Sequence, residues 1–461
     1  MVDLTIKGAK VVTEEGVFQG GVAVKEGQIV ALGKDDTLPT GQTCLDAKGQ
    51  YLLPGGVDPH VHIRYPGGAH RETFETGSAA AAAGGITTII EHPISSPPQY
   101  SVEILMTRVK AAREQSIVDF AFLGAAGGEK LSYICDLGSA GIVGYKTFLH
   151  GAPEGRDKEF IGLTMKNNYQ VYCGFSEVSK TNLPIGAHAE DDDLIAGLIN
   201  QFRAAGKTGG LDHARSRPPI TEVMTVERLI RIARETGVTL YLVHISTPEA
   251  VAVAKQARES GQKLYIETCP HYLYLTENDL VKHGPYAKCN PPLRSADDVE
   301  GLWKYVIDGT IDTIGSDHGP FTTEEKNQGV DDIFVAPAGF PGLETRLPLM
   351  LTAVKEGRLS LQRTVELLST NPSKAFGLYP RKGTIRIGSD ADFALIDMDT
   401  PFVINHEEMV TKSRDACVVY DGRSVFGRVT KTIVRGRVVY DNGKITMAPG
   451  YGQWILPQLL D

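Results

Sequence analysis

His60 and His62 stand two residues apart in VDPHVHIRYPGG (57–68), and Arg64 follows at the same interval. Successive side chains on a strand alternate faces, so all three would point to one side of an extended segment. Two imidazoles so placed suit one divalent ion. A solvated strand end reads the same way, so the pair needs company. It comes from His188 in LPIGAHAE, His244 in TLYLVHIS and Asp317 in IDTIGSDHG. Singly, a strand histidine is commonly a satisfied core residue, and an aspartate before a turn is commonly a cap. Together, four imidazoles and a carboxylate form the ligand set of a first-row divalent metal such as zinc, iron, nickel or cobalt. Lys146 in GIVGYKTFL is the odd member. A protonated ammonium offers a metal no lone pair, and burying it unpaired is costly. A lysine that snorkels to solvent avoids both problems. If the amine instead reacts with carbon dioxide, the carbamate is a carboxylate on a long stem, able to bridge two metals.

Eight apolar runs of strand length must position these residues. They are GGVDPHVHI (55–63), ITTIIEH (86–92), IVDFAFLG (117–124), GIVGYKTFL (141–149), LPIGAHAE (183–190), TLYLVHIS (239–246), KLYIETCPH (263–271) and IDTIGSDHG (311–319). Amphipathic stretches of helix length separate them, which predicts parallel strands buried on both faces. Eight such units predict a (β/α)8 TIM barrel, whose active site is built at the C-terminal ends of the strands. His60 and His62 close the first run, Lys146 the fourth, His188 the fifth, His244 the sixth and Asp317 the eighth. Coincidence at five strands is a poor explanation.

Outside this middle the pattern changes. Residues 1–50 and the late segments KGTIRIGSDADFALIDMD and VTKTIVRGRVVYDNGKI alternate apolar and polar positions between glycine turns. That predicts an accessory β-sandwich assembled from both ends of the chain, with divisions at 1–53, 54–375 and 376–461. The formal net charge is −9 over 461 residues, with no basic cluster, which disfavours a nucleic-acid partner. The six cysteines contain no C-x-x-C pair and read as reduced thiols, so a cytoplasmic setting is expected. No run approaches ~18 uninterrupted apolar residues, so no membrane span is expected.

With these residues assembled, the chain resembles the cyclic amidohydrolases of the amidohydrolase superfamily, the group of hydantoinases, dihydropyrimidinases, allantoinases and dihydroorotases. The resemblance runs nearly the whole length, through LPGGVDPHVH, GGITTIIE, GYKTF, HAE, LVHIST, ETCPHYL, KCNPPLRS, GSDHGP, GLET and KGTIRIGSDADFALID. It implies a two-metal centre, zinc first, with manganese or cobalt as alternatives. His60, His62 and Asp317 would hold the more buried ion, His188 and His244 the second, and a carboxylated Lys146 would bridge them. Two metals sharing one water lower its pKa, so a bridging hydroxide attacks the scissile carbonyl while Asp317 serves as general base and then acid. The resemblance also implies a homo-oligomer, dimer or tetramer.

The ring is read from departures. Dihydroorotases place an arginine where Arg64 stands, yet the Pro-Asn-Thr turn they carry after the second strand is EHPISSPPQ here. Dihydropyrimidinases place a tyrosine where this chain has Gly151, with His150 just before it. TTIIEHPISSPP, GPYAKC and GYGQWIL look more like the allantoinase and L-hydantoinase branch. The expected substrate is therefore a small cyclic ureide of allantoin or hydantoin type, with Arg64, His150 and Asn290 as substrate contacts. A dihydroorotase and a catalytically silent assembly protein are the alternatives. Glu267 and His271 are expected to support the site or pack behind it.

Overall fold

A computed structural model of the chain describes residues 1–153 and 155–458. Its centre is an eight-stranded sheet in which every neighbouring pair is parallel and sequential. The strands are Gly56–Val61, Ile86–Glu91, Asp119–Ala125, Gly144–Phe148, Ile185–His188, Leu240–Leu242, Leu264–Thr268 and Thr313–Ile314. A bridge between Val61 and His318 joins the last strand's extension to the first, and His62 N–H donates to the His318 carbonyl at 3.0 Å. The sheet thus closes into a nearly complete barrel.

Eight helices cover it, one after each strand: Phe74–Ala83, Val102–Gln115, Ile134–Ser139, Asn168–Ser179, Pro219–Thr236, Pro248–Glu259, Ala296–Ile307 and Arg346–Lys355. Several start on side-chain caps, with Ser101, Thr247 and Ser295 each accepting the N–H three residues on. The strands are buried almost throughout, which is why they read as continuous apolar runs.

The ends of the chain build a second, mixed sheet of nine strands. Val2–Thr13 lies antiparallel to Gly16–Lys25 and parallel to Gly41–Asp46 and Tyr51–Pro54, and Tyr51–Pro54 in turn pairs with Phe393–Asp397 from the far end. The register slips between Ile6 and Ala9, where Gly8 adopts φ 67°. The slip changes the parity of the inward face from Leu4 and Ile6 to Ala9 and Val11, so both halves of one strand feed the same core.

This sheet is tied to the floor of the barrel by a buried ionic cluster. Lys382 Nζ donates to Asp119 at 2.5 Å and to Asp392 at 2.7 Å, and lies 3.0 Å from Asp390. Arg435 also pairs with Asp119. Three convergent aspartates invite a metal reading, but the ammonium already sits among them.

Candidate metal centre

The barrel's seam places the first candidate ligands. Asp58, fully buried, accepts N–H bonds from His60 and Ser316, both at 3.1 Å, and so locks the first strand to the eighth. Across that seam His60 Nε2 and His62 Nε2 converge on Asp317 Oδ1 at 3.2 and 3.4 Å. On the next sector His188 Nδ1 faces His244 Nε2 at 3.0 Å. Lys146 lies amid both groups: its charge acts on all four of these imidazoles. Its Nζ is fully buried and has no hydrogen-bond partner among the described residues.

A layer of carboxylates aims the rings. Glu267 Oε1 accepts from His60 Nδ1 at 2.7 Å and from the His244 N–H at 2.9 Å, while Tyr241 donates to its Oε2 at 2.9 Å. Glu190 meets His188 Nε2 at 2.8 Å and is itself held by Arg217 at 2.5 Å. These contacts put the ring protons on the outward nitrogens and leave lone pairs facing inward. His60 Nε2 then turns its lone pair toward a carboxylate oxygen, and His188 Nδ1 turns its own toward His244 Nε2, which can carry the ring proton because His244 Nδ1 has no partner among the described residues. A shared proton or a cation would relieve the contact of His60 with Asp317.

Burial favours a cation over a shared proton. Burial pushes His60 down to about 3, and it pushes His62 and His244 well below the ordinary 6.5. Neutral imidazole is the form that binds metal. Burial also lowers Lys146 from 10.5 to about 7, although Glu267 and Asp317 pull the other way. The residues therefore fit a binuclear divalent centre with an amine among them that is partly unprotonated at neutral pH.

Three of the supporting backbones are strained. Arg64, His244 and Asp317 adopt φ of 62°, 39° and 47°, the left-handed region that non-glycine residues rarely enter. At Arg64 the cause is visible: Glu91 accepts the N–H of Ile63 at 2.8 Å and of Arg64 at 3.1 Å, and is held in turn by Arg108 at 2.5 Å.

Above the ligands lies a cavity of about 80 Å³, lined by Arg64, His150 and Asn290 as well as His60, His62, His188, His244 and Asp317. That is well below the roughly 300–1,000 Å³ of drug-sized pockets and matches a small ring. Arg64 reaches it by the left-handed turn and not by strand alternation, because the strand stops at Val61. His150 meets His188 edge to face at 5.4 Å, and the Asn290 side-chain oxygen is buried without a partner among the described residues. His271 does not line the cavity and packs on Phe340.

His92 was not singled out from the sequence. It stands at the end of the second strand, stacked on His60 at 3.8 Å with Nε2 bonded to the Pro59 carbonyl at 3.0 Å. Its position closing ITTIIEH was the available signal, since the same rule selected the other four.

The chain belongs to the amidohydrolase family, whose match covers residues 51–439. It is an enzyme of the cyclic-amidase class within that family. The chain is 36% identical over 457 residues to the L-hydantoinase of Paenarthrobacter aurescens, spanning 99% of this chain and 98% of that protein. It is also 36% identical over 460 residues to the allantoinase of Deinococcus radiodurans, 99% of each. Among solved structures, the L-hydantoinase (dihydropyrimidinase) from Arthrobacter aurescens superposes with a TM-score of 0.93 at 35% identity, over 99% of this chain and 100% of that one.

Proposed function

We propose that this enzyme opens the endocyclic amide of a five-membered cyclic ureide of allantoin or hydantoin type. The observation that carries the reading is the pair of imidazole groups around one buried lysine that has no partner among the described residues, with those imidazoles lining a cavity sized for a small ring. His60, His62 and Asp317 would hold one divalent ion and His188 and His244 a second, zinc being the first choice, with a carbamate on Lys146 reaching both. When bound, such ions lower the pKa of a water and polarise the scissile carbonyl.

The chain's own residues account for the rest. Asp317 has one oxygen turned to His60 and His62, and its other oxygen is the base that takes a proton from the attacking water. The same carboxyl returns that proton to the ring nitrogen as the C–N bond breaks, so the product is an N-carbamoyl acid. His150 sits beside His188 at the cavity wall; its Nδ1 donates to the Gly151 carbonyl at 2.5 Å, so the neutral imidazole offers Nε2 as an acceptor to a substrate N–H. Asn290 meets the ring's other carbonyl and amide, and Arg64 meets its substituent.

The same reading includes the three divisions of the chain drawn above and a homo-oligomer. It also includes a cytoplasmic setting, supported by six unpaired cysteines. A hydrolysis panel of allantoin, hydantoin, 5-substituted hydantoins, dihydrouracil and dihydroorotate, run with zinc, manganese and cobalt, tests it. The five-membered ureides should be opened fastest. Preference for dihydroorotate would overturn the ring assignment, and protein that binds no stoichiometric metal would overturn the enzyme.

A further inference from the structure

The rings assigned to the two ions are held unequally. On the first side, His60 Nδ1 is fixed by Glu267, a residue of the seventh strand whose further donors are the Tyr241 hydroxyl and the His244 N–H, all within the barrel. On the second side, His244 Nδ1 has no partner among the described residues, so the aim of that half rests on the ring of His188. His188 Nε2 meets Glu190 Oε2 at 2.8 Å, and the same oxygen accepts from Arg217 Nη1 at 2.5 Å. Glu190 Oε1 is buried without a partner among the described residues. Without the guanidinium, a carboxylate that is 1% exposed would keep a single donor. A buried charge left in that state turns toward other donors, and His188 is then free to carry its ring proton on Nδ1, the nitrogen that faces inward.

Arg217 does not belong to a barrel strand. It stands between the short helix Gly210–Arg215 and the helix Pro219–Thr236, and this stretch is bound to the loop that follows the seventh strand. His213 Nε2 donates to the Cys289 carbonyl at 3.0 Å, and Arg294 donates from Nη1 to the Arg217 carbonyl. Cys289 and Arg294 bracket Asn290, which lines the cavity. Arg294 Nε also donates at 2.9 Å to the hydroxyl of Ser246, two residues beyond His244, and Ser246 in turn is anchored on Glu222. Arg294, Ser246 and Glu222 are all buried, so solvent screens these contacts little. A continuous run of side chains thus leads from the loop over the cavity to the outward nitrogen of His188.

We propose that Arg217 is a positioning residue for the second ion: through Glu190 it fixes the ring of His188, and through the links of its own stretch to Cys289 and Arg294 it makes that fixing depend on the loop that carries Asn290. The inference rests on the two-ion reading of the site and adds which ion is lost first and which residue governs it. The first ion lies outside this route, because Glu267 and the barrel seam hold its ligands.

The test uses chelator-treated full-length protein in bicarbonate, titrated with zinc against a chromophoric chelator and with cobalt(II) followed by its visible absorption. The wild type should bind two equivalents. Arg217→Met should weaken one of them by about 10- to 100-fold, the range for a residue behind a metal ligand, and leave the other within about twofold. Arg217→Lys should keep part of the lost affinity, since it restores the charge without the fork. Glu190→Gln should weaken the same equivalent, and the double variant with Arg217→Met should lose no more than the larger single loss, because both act through one ring. Arg294→Met should weaken that equivalent less and raise KM for hydantoin with it, a linkage that simple packing would not produce. Should Arg217→Met fail to fold, Arg217→Lys and Glu190→Gln carry the same comparison. Equal weakening of both equivalents, additive losses in the double variant, or normal metal affinity in Arg294→Met would overturn the inference and leave the two-ion enzyme standing. A wild type that takes up a single equivalent would overturn the two-ion reading itself.

Discussion

Lys146→Met is the substitution with the sharpest expected signature, because it should stabilise the metal-free protein while disabling the enzyme. Methionine keeps most of the buried stem and discards an amine that has no partner among the described residues. A fall from 10.5 to about 7 corresponds, at about 1.4 kcal/mol per pKa unit, to a cost near 5 kcal/mol for burying the charged form. The sign follows from proton counting. Below pH 7 both folded and unfolded chains carry the proton, and the full cost is present. Between about 7 and 10.5 only the unfolded chain is protonated, so wild-type stability rises with pH. Above that range the cost is gone. Glu267, raised by burial to about 8, works in the opposite direction, so the variant must be compared with wild type at each pH. Urea unfolding of chelator-treated protein should show Lys146→Met more stable than wild type by several kcal/mol near pH 6.5. The advantage should shrink by about 1.4 kcal/mol per unit as pH rises toward 10. Added zinc with bicarbonate should then stabilise the wild type and leave the variant nearly unmoved. A variant less stable than wild type at pH 6.5, or a pH-independent difference, would refute the reasoning, since it would mean the amine has a partner.

Three further outcomes follow from the same geometry. Asp317→Asn should retain the fold and metal on the histidines yet lose at least ~10²-fold in kcat, the lower end of what a positioned acid–base contributes, checked by steady-state kinetics across pH. Glu267→Gln should weaken metal binding by about 10- to 100-fold, because it disturbs His60 and the His244 backbone together, as competition with a chromophoric chelator will show. Arg64→Met should depress turnover of carboxylated or ureido-bearing rings far more than that of unsubstituted hydantoin, with metal content unchanged; equal losses on every ring would assign Arg64 to loop structure.

The barrel was legible because its strands are buried on both faces and so read as unbroken apolar runs between amphipathic helices. Strand parity also led to His60 and His62, both of which turn inward. It stopped applying two residues later, since Arg64 reaches the cavity through a left-handed turn held by Glu91, a partner from the second strand. The run around His244 shortens to Leu240–Leu242 for a related reason: the backbone has left the strand before the histidine is reached. Glu267 and Glu190 were harder to read, because a buried carboxylate that orients a ring looks in sequence like any other acidic residue near a strand end. Arg217 and Arg294 meet from loops after the fifth and seventh strands, and loops carry no periodicity from which a meeting point can be read.

The pairing of Tyr51–Pro54 with Phe393–Asp397 sets a timetable for synthesis. The two partners are roughly 340 residues apart in the chain, so at ~5–20 residues per second the earlier strand emerges some 20 to 70 seconds before its neighbour exists. Through that interval Tyr51–Pro54 presents an unpaired sheet edge, the kind of surface on which foreign chains dock. The first strands must therefore wait while the whole barrel forms between them and their completion. A ribosome that stalls inside the barrel would release an open edge together with an unfinished core, which makes this stretch of translation the period in which a holding chaperone would matter most.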